Sequence, residues 1–151
     1  MTLHTPVYDV RTRAFCGPTA MSAVTGLPIS QIRDAIRKAS GKELTADGRA
    51  YPVMGIRNVD MIVAMELLGW RAIWTVFNNN AEIGTPDWYR LDDFLSDHAR
   101  SGPFIVEVTG HYIAVSYDEV CDTFTKLPIP VERWKRGRKR WVRSWWKFER
   151  V

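Results

Sequence analysis

Over the first seventy residues the apolar positions recur at helical spacing. Ala20, Met21, Ala23 and Val24 follow Cys16-Gly17-Pro18, and a proline suits a first helical turn because the N–H it lacks would be unpaired there anyway. The pattern predicts a helix beginning just after Cys16. Thr25-Gly26-Leu27-Pro28 stops it, with Gly26 free to take the left-handed cap. Ile32, Ala35 and Ile36 share one face of a second helix, from about Gln31 to Ala39, with Ser30 as its N-cap and Gly41 as its end. Residues 42–57 carry Gly48, Pro52 and Gly55 and read as a long loop. Asn58 or Asp60 opens a third helix through Met61, Ile62, Met65 and Leu68, terminated at Gly69. Residues 1–15 follow neither period and read as an irregular or extended lead-in.

Beyond Gly69 the period shortens. A strand over Arg71–Phe77 precedes the turn-rich Asn78-Asn79-Asn80, and Leu91-Asp92-Asp93-Phe94-Leu95 begins a short fourth helix that ends near Gly102-Pro103. Phe104–Thr109, His111–Ser116 and Val120–Phe124 are short β-rich runs separated by tight turns, one of them at Tyr117-Asp118-Glu119. Trp141–Phe148 alternates aromatic and basic residues and reads as a last strand. Helices first and an antiparallel sheet later predict an α+β fold. No internal repeat or low-complexity linker divides the chain, so residues 1–151 are expected to form one domain.

Composition agrees with a globular chain. It is 46% hydrophobic and 25% charged over 151 residues, which excludes disordered, collagen-like and fibrous classes. The longest apolar runs, such as the IVAMELLGW that begins at Ile62, are broken by charge or glycine well short of a membrane span. The segment MTLHTPVYDVRTR has no apolar core of export-signal type. With only two cysteines, Cys16 and Cys121, the chain has too few for a disulfide scaffold or a structural zinc site. Both are therefore expected to be reduced thiols in a cytoplasmic compartment, with no membrane partner, metal or cofactor.

A cysteine attacks a carbonyl carbon as its thiolate, whereas a free thiol has a pKa near ~8.5. A helix amino terminus and a nearby imidazolium both lower that value. Cys16 sits where the first device acts, and its own N–H can donate to a developing oxyanion. Gly17 leaves the backbone open to close approach by a substrate carbonyl. Histidine is the partner that exchanges a proton near neutral pH. His4 lies in the lead-in, and His98 lies in the last turn of the fourth helix, where the dipole favours a cation. His111 opens a strand after Gly110 and is the strongest of the three. If His111–Ser116 and Glu119–Phe124 form a hairpin about Tyr117-Asp118, Asp122 returns beside His111 to hold the ring. Cys121 then points to the opposite face as a core thiol.

The segments AFCGPTAMSAVTGLP and PFIVEVTGHYIAVSYDEVCDTF together resemble the papain-like cysteine peptidase superfamily, particularly its small bacterial and bacteriophage forms, and are also similar to bacteriocin-leader-processing peptidases. The resemblance implies a papain-like fold with a helical half packed on a C-terminal antiparallel sheet. It assigns Cys16 as nucleophile, His111 as base and Asp122 as the group that orients it. It also implies a protein or peptide substrate and, for a phage form, virion proteins as partners and a location in the host cytoplasm or the virion. The superfamily carries a glutamine about six residues before the cysteine as oxyanion donor. This chain has Val10 there, which leaves Arg11, Thr12, Arg13 and the Cys16 N–H as candidate donors.

The charge is uneven. Residues 133–150 hold nine Lys or Arg against one acid, so this segment carries +8 and the remainder −4. With Trp134, Trp141, Trp145 and Trp146 it presents two readings. One is nucleic-acid or acidic-partner binding through Lys135, Arg136, Arg138, Lys139 and Arg140. The other, which is favoured, is a terminal strand with aromatic residues packed inward and a solvated basic face. The leading expectation is thus a thiol hydrolase cleaving a peptide or isopeptide bond. The alternatives are an inactive papain-like structural or interaction protein of a phage particle, and a nucleic-acid-binding protein.

Overall fold

The computed structural model describes residues 2–77, 89–98, 100–134 and 141–151. Three helices come first: α1 (Cys16–Thr25), α2 (Ile29–Ser40) and α3 (Asn58–Leu67). The strands are β1 (Trp70–Phe77), β2 (Tyr89–Arg90), β3 (Phe104–Val108), β4 (His111–Ser116), β5 (Glu119–Cys121), β6 (Ile129–Pro130) and β7 (Trp141–Arg150), with α4 (Leu91–His98) between β2 and β3. They form an antiparallel sheet in the order β1-β7-β3-β4-β5-β6, with β2 also pairing with β7.

Both faces of the sheet are covered, which is why β3 and β4 read as nearly continuous apolar runs. On one face Ile105, Tyr112, Ala114, Cys121, Trp146 and Phe148 pack against Ala20, Met21, Ile32, Met61 and Met65 from α1, α2 and α3. On the other, Val106, Ile113, Val115, Val142 and Trp145 pack against Leu91, Phe94 and Leu95 of α4 and against Trp134. Adjacent strand residues point to opposite faces, so Trp145 and Trp146 anchor separate cores. Of the four tryptophans in the basic segment, Trp134, Trp145 and Trp146 are buried, so their rings are packing groups. β7 lies between β1 and β3, inside the sheet. Lys135, Arg136, Arg138, Lys139 and Arg140, and the turn expected at Asn78-Asn79-Asn80, lie outside the described residues.

The expected α1 stop is observed: Gly26 takes the left-handed conformation (φ 76°), and its N–H donates to the Ser22 carbonyl. Other ends differ from the sequence expectation. Ser30 does not cap α2, which begins earlier, at Ile29. The cap comes from the lead-in: the Asp9 carboxylate accepts the Ser30 N–H at 2.9 Å and also its hydroxyl. Further bonds pin the lead-in. Leu3 N–H donates to Glu119 Oε1, His4 N–H to the Ala23 carbonyl, and Val7 N–H to Ser22 Oγ. Val7 also forms a parallel bridge with Pro28. Residues 2–15 lack a period because they are held by single contacts to several elements.

The fifth strand is shorter than the run Val120–Phe124, because the chain turns at Asp122. Thr109 falls in the β3–β4 turn with Gly110. β7 continues past Phe148 to Arg150, paired with Trp70 at the start of β1. The two-residue strands β2 and β6 were not expected, since two positions cannot display a period.

Candidate active site

Cys16 is the first residue of α1, preceded by an extended Phe15 (φ −81°, ψ 172°). Its sulfur is therefore held beside the unpaired N–H groups of the helix amino terminus. α1 lies against β4, which begins at His111 directly after Gly110, whose φ of 71° makes the turn. The β4–β5 hairpin closes through Tyr117 and Asp118, both at positive φ (48° and 68°), as a two-residue turn matched to strand twist requires. Its register pairs Ser116 with Glu119 and Ala114 with Cys121.

The chain leaves β5 at Asp122, whose carboxylate is fully engaged. Oδ2 meets His111 Nε2 at 3.2 Å. Oδ1 accepts the N–H groups of Phe124 (2.9 Å) and Thr125 (2.8 Å). The Asp122 N–H donates to Thr125 Oγ1, and the Lys126 N–H to the Asp122 carbonyl. The His111 side chain is 10% exposed and that of Asp122 only 1%. With Nε2 taken by Asp122, Nδ1 is the ring nitrogen left to face the Cys16 sulfur, and each of the two groups shifts the other's pKa. Asp122 reaches His111 by the turn after the strand rather than from a strand position. The ring of Phe124 lies 5.3 Å from that of His111 and covers it from the turn side.

The electrostatics follow from this packing. Burial pushes the Cys16 thiol up, but the His111 hydrogen bond, the Tyr112 N–H, the imidazolium charge and the Gly17 N–H outweigh it, and the net shift is downward. Burial pulls His111 down, yet its bonds to Asp122 and Cys16 raise it to about 9. Burial raises Asp122 as well, but His111 and the backbone donors of the turn bring it below the usual carboxylate range. The lowered thiol and the raised imidazole both shift toward the ionic form of the pair. Cys121 behaves oppositely. It is buried on the helix-facing side of the sheet, which pushes its thiol up to about 12, and so it is unreactive.

His4 and His98 are not brought to this site. The His4 ring lies against Gly26. His98 sits in an aromatic cluster with Trp74, Phe94 and Trp145. Burial lowers its pKa, so desolvation outweighs the helix dipole that favours a cation there. The role expected for Gly17 also changes. It is buried, and a Cβ at this position would lie 2.6 Å from Ile56 Cγ2. Its missing side chain admits Ile56 from the 42–57 loop. Tyr112 ties down the same loop end, its hydroxyl donating to the Ile56 carbonyl at 3.3 Å and to Asn58 Oδ1.

Among the expected oxyanion donors, Thr12 and Arg13 are anchored to α2. Arg33 donates to Thr12 Oγ1 and to the Arg13 carbonyl, each at 2.6 Å, and the Arg13 guanidinium stacks on Phe15. Arg11 and Tyr8 line a cavity of about 440 Å³ that also meets Thr123, Phe124 and Lys126. Tyr8 was not anticipated from the sequence, since an isolated aromatic residue in an irregular segment gives no signal. Burial raises its phenol pKa, keeping it a protonated donor. Among the described residues no group of three or more His, Cys, Asp or Glu is placed to hold a metal ion, and no helix is long and apolar enough to cross a membrane.

No protein-family model and no curated protein matches the sequence. Among solved structures the chain is similar to a double glycine motif protease from an AMS/PCAT transporter, crystallised in complex with the leader peptide. Identity is 15%, the alignment covers 98% of this chain and 94% of that one, and the TM-score is 0.54. The two share the papain-like α+β fold, with helices packed on an antiparallel sheet.

Proposed function

We propose that this protein is a thiol hydrolase that cleaves a peptide or isopeptide bond through Cys16, His111 and Asp122. The observation that carries the reading is the continuous chain from the thiol at a helix amino terminus, through an imidazole, to a carboxylate locked by two backbone N–H groups. The Cys16 thiolate attacks the carbonyl carbon, forming an S–C bond, while the Cys16 N–H donates to the oxygen as it gains charge. The C–N bond then breaks, and His111 passes its proton to the departing amine. Water attacks the thioester and gives a proton to His111. The C–S bond breaks, releasing the acid and restoring the thiolate–imidazolium pair. Asp122 fixes the ring orientation and stabilises the imidazolium throughout. The peptide-bound protease of similar fold supports a peptide as substrate class.

Two alternatives predict different behaviour. A structural or interaction module of a phage particle would leave Cys16 unreactive. A nucleic-acid-binding protein would not depend on Cys16 at all, and the burial of Trp134, Trp145 and Trp146 removes three of its stacking rings.

A proteome-derived peptide library with blocked amines, incubated in water enriched in oxygen-18, tests the reading. New amino termini should appear with the wild type and disappear with Cys16→Ala, and each new carboxylate should carry one heavy oxygen. Cleavage that survives Cys16→Ala, or no cleavage by either protein, would contradict the proposal.

A further inference from the structure

Beside His111 lies the cavity bounded by residues 8–14 on one side and the 122–126 turn on the other. Three of its lining residues are Arg11, Arg13 and Lys126. No carboxylate forms an ion pair with any of them among the described residues. The nearby acids are spent elsewhere: Asp9 caps α2 through Ser30, and Asp122 is consumed by His111 and its own turn. Outside the basic segment the chain carries a net −4, so a cationic cavity here runs against the charge of the body. Lys126 is moreover held at φ 61°, a left-handed conformation that non-glycine residues seldom take. Thr123 adds a hydroxyl among the three cations.

The position of the cavity says which part of a peptide would enter it. His111 must reach the leaving nitrogen to protonate it, so the chain on the amine side of the broken bond leaves across the imidazole. Phe124 packs on that imidazole and also lines the cavity. The geometry points to a binding site for an acidic side chain carried C-terminal to the cleaved bond, held by Arg11, Arg13 and Lys126. This rests on the hydrolase reading for its orientation. The charge selectivity of the cavity can be measured without it.

The test uses the full chain with Cys16→Ala, titrated with acetyl-Glu-Glu-Glu-amide while backbone amide shifts are followed by NMR. Shifts are expected at residues 8–14 and 123–126, with affinity about tenfold above that for acetyl-Gln-Gln-Gln-amide, as expected for a few exposed ion pairs. The difference should shrink as salt rises from 50 to about 500 mM, and should largely vanish in Arg11→Gln/Lys126→Gln. Equal affinity for the Gln peptide, shifts confined to other surfaces, or tighter binding of a thymidine hexanucleotide at the same residues would overturn the inference. Because the thiol is absent, the two ideas separate. An acid-selective cavity beside an unreactive Cys16 would sink the hydrolase reading alone. A reactive Cys16 beside a charge-blind cavity would sink only the acidic subsite.

Discussion

Cys16 and Cys121 are the same residue type in opposite environments, and the contrast shows what makes a thiol chemically competent here. Both are desolvated, which by itself raises a thiol pKa. Only Cys16 has a cation and backbone N–H donors aimed at its sulfur, and its pKa falls while that of Cys121 climbs to about 12. The setting depends on close packing at Gly17, where a Cβ would collide with Ile56. Gly17→Ala should cost about 1–3 kcal/mol, the usual range for overpacking. Adding Ile56→Ala should recover more than half of that in denaturant unfolding. If the double variant is no better than Gly17→Ala alone, the collision is not the cause.

Among the elements, those that bury an apolar stripe or sheet face were legible, and those held by isolated polar contacts were not. The α1 helix, its Gly26 stop, the β3–β4 hairpin and the β4–β5 register all followed from apolar spacing and turn chemistry. So did the meeting of His111 and Asp122, although the strand itself ends at Cys121. The cap of α2 was hidden because its donor and acceptor are 21 residues apart in sequence, and no local motif encodes such a pairing. Tyr8 and the cavity wall were hidden for the same reason, since residues 1–15 have no period. Asp9→Ala should therefore lower the denaturation midpoint through loss of the α2 cap. Ser30→Ala, which leaves the Asp9 bond to the Ser30 N–H in place, should cost less. The reverse order would mean that Ser30 is the effective cap.

At the scale of the whole molecule, the sheet carries two cores on opposite faces, and α1 and β4 meet so that residues 95 positions apart in sequence share one proton. Three tryptophans of the basic segment are spent on those cores, which draws the argument for nucleic-acid binding away from aromatic stacking. The proton-sharing pair has an unusual link to stability. Raising His111 to about 9 adds stability that is complete below its unfolded pKa near ~6.5 and is lost as pH rises through 9. Lowering Cys16 adds stability over that same rise, gained above its folded pKa and complete above its unfolded one. Near pH ~7.5 the native pair and the unfolded pair each hold one proton, so the two slopes cancel and the pH dependence of unfolding is blind to the pair.

Reactivity is not blind to it. The most direct measurement is the rate of Cys16 alkylation by iodoacetamide from pH 4 to 10, in the wild type and in His111→Ala, with modification of Cys16 and Cys121 resolved by peptide mass analysis. Rapid modification of Cys16 is expected already near pH ~6, with a change of rate near 9 as the imidazolium loses its proton and loss of the acid-side reactivity in His111→Ala. A slow rate that rises only near pH ~8.5, and is the same in both proteins, would mean an ordinary thiol and would contradict the account.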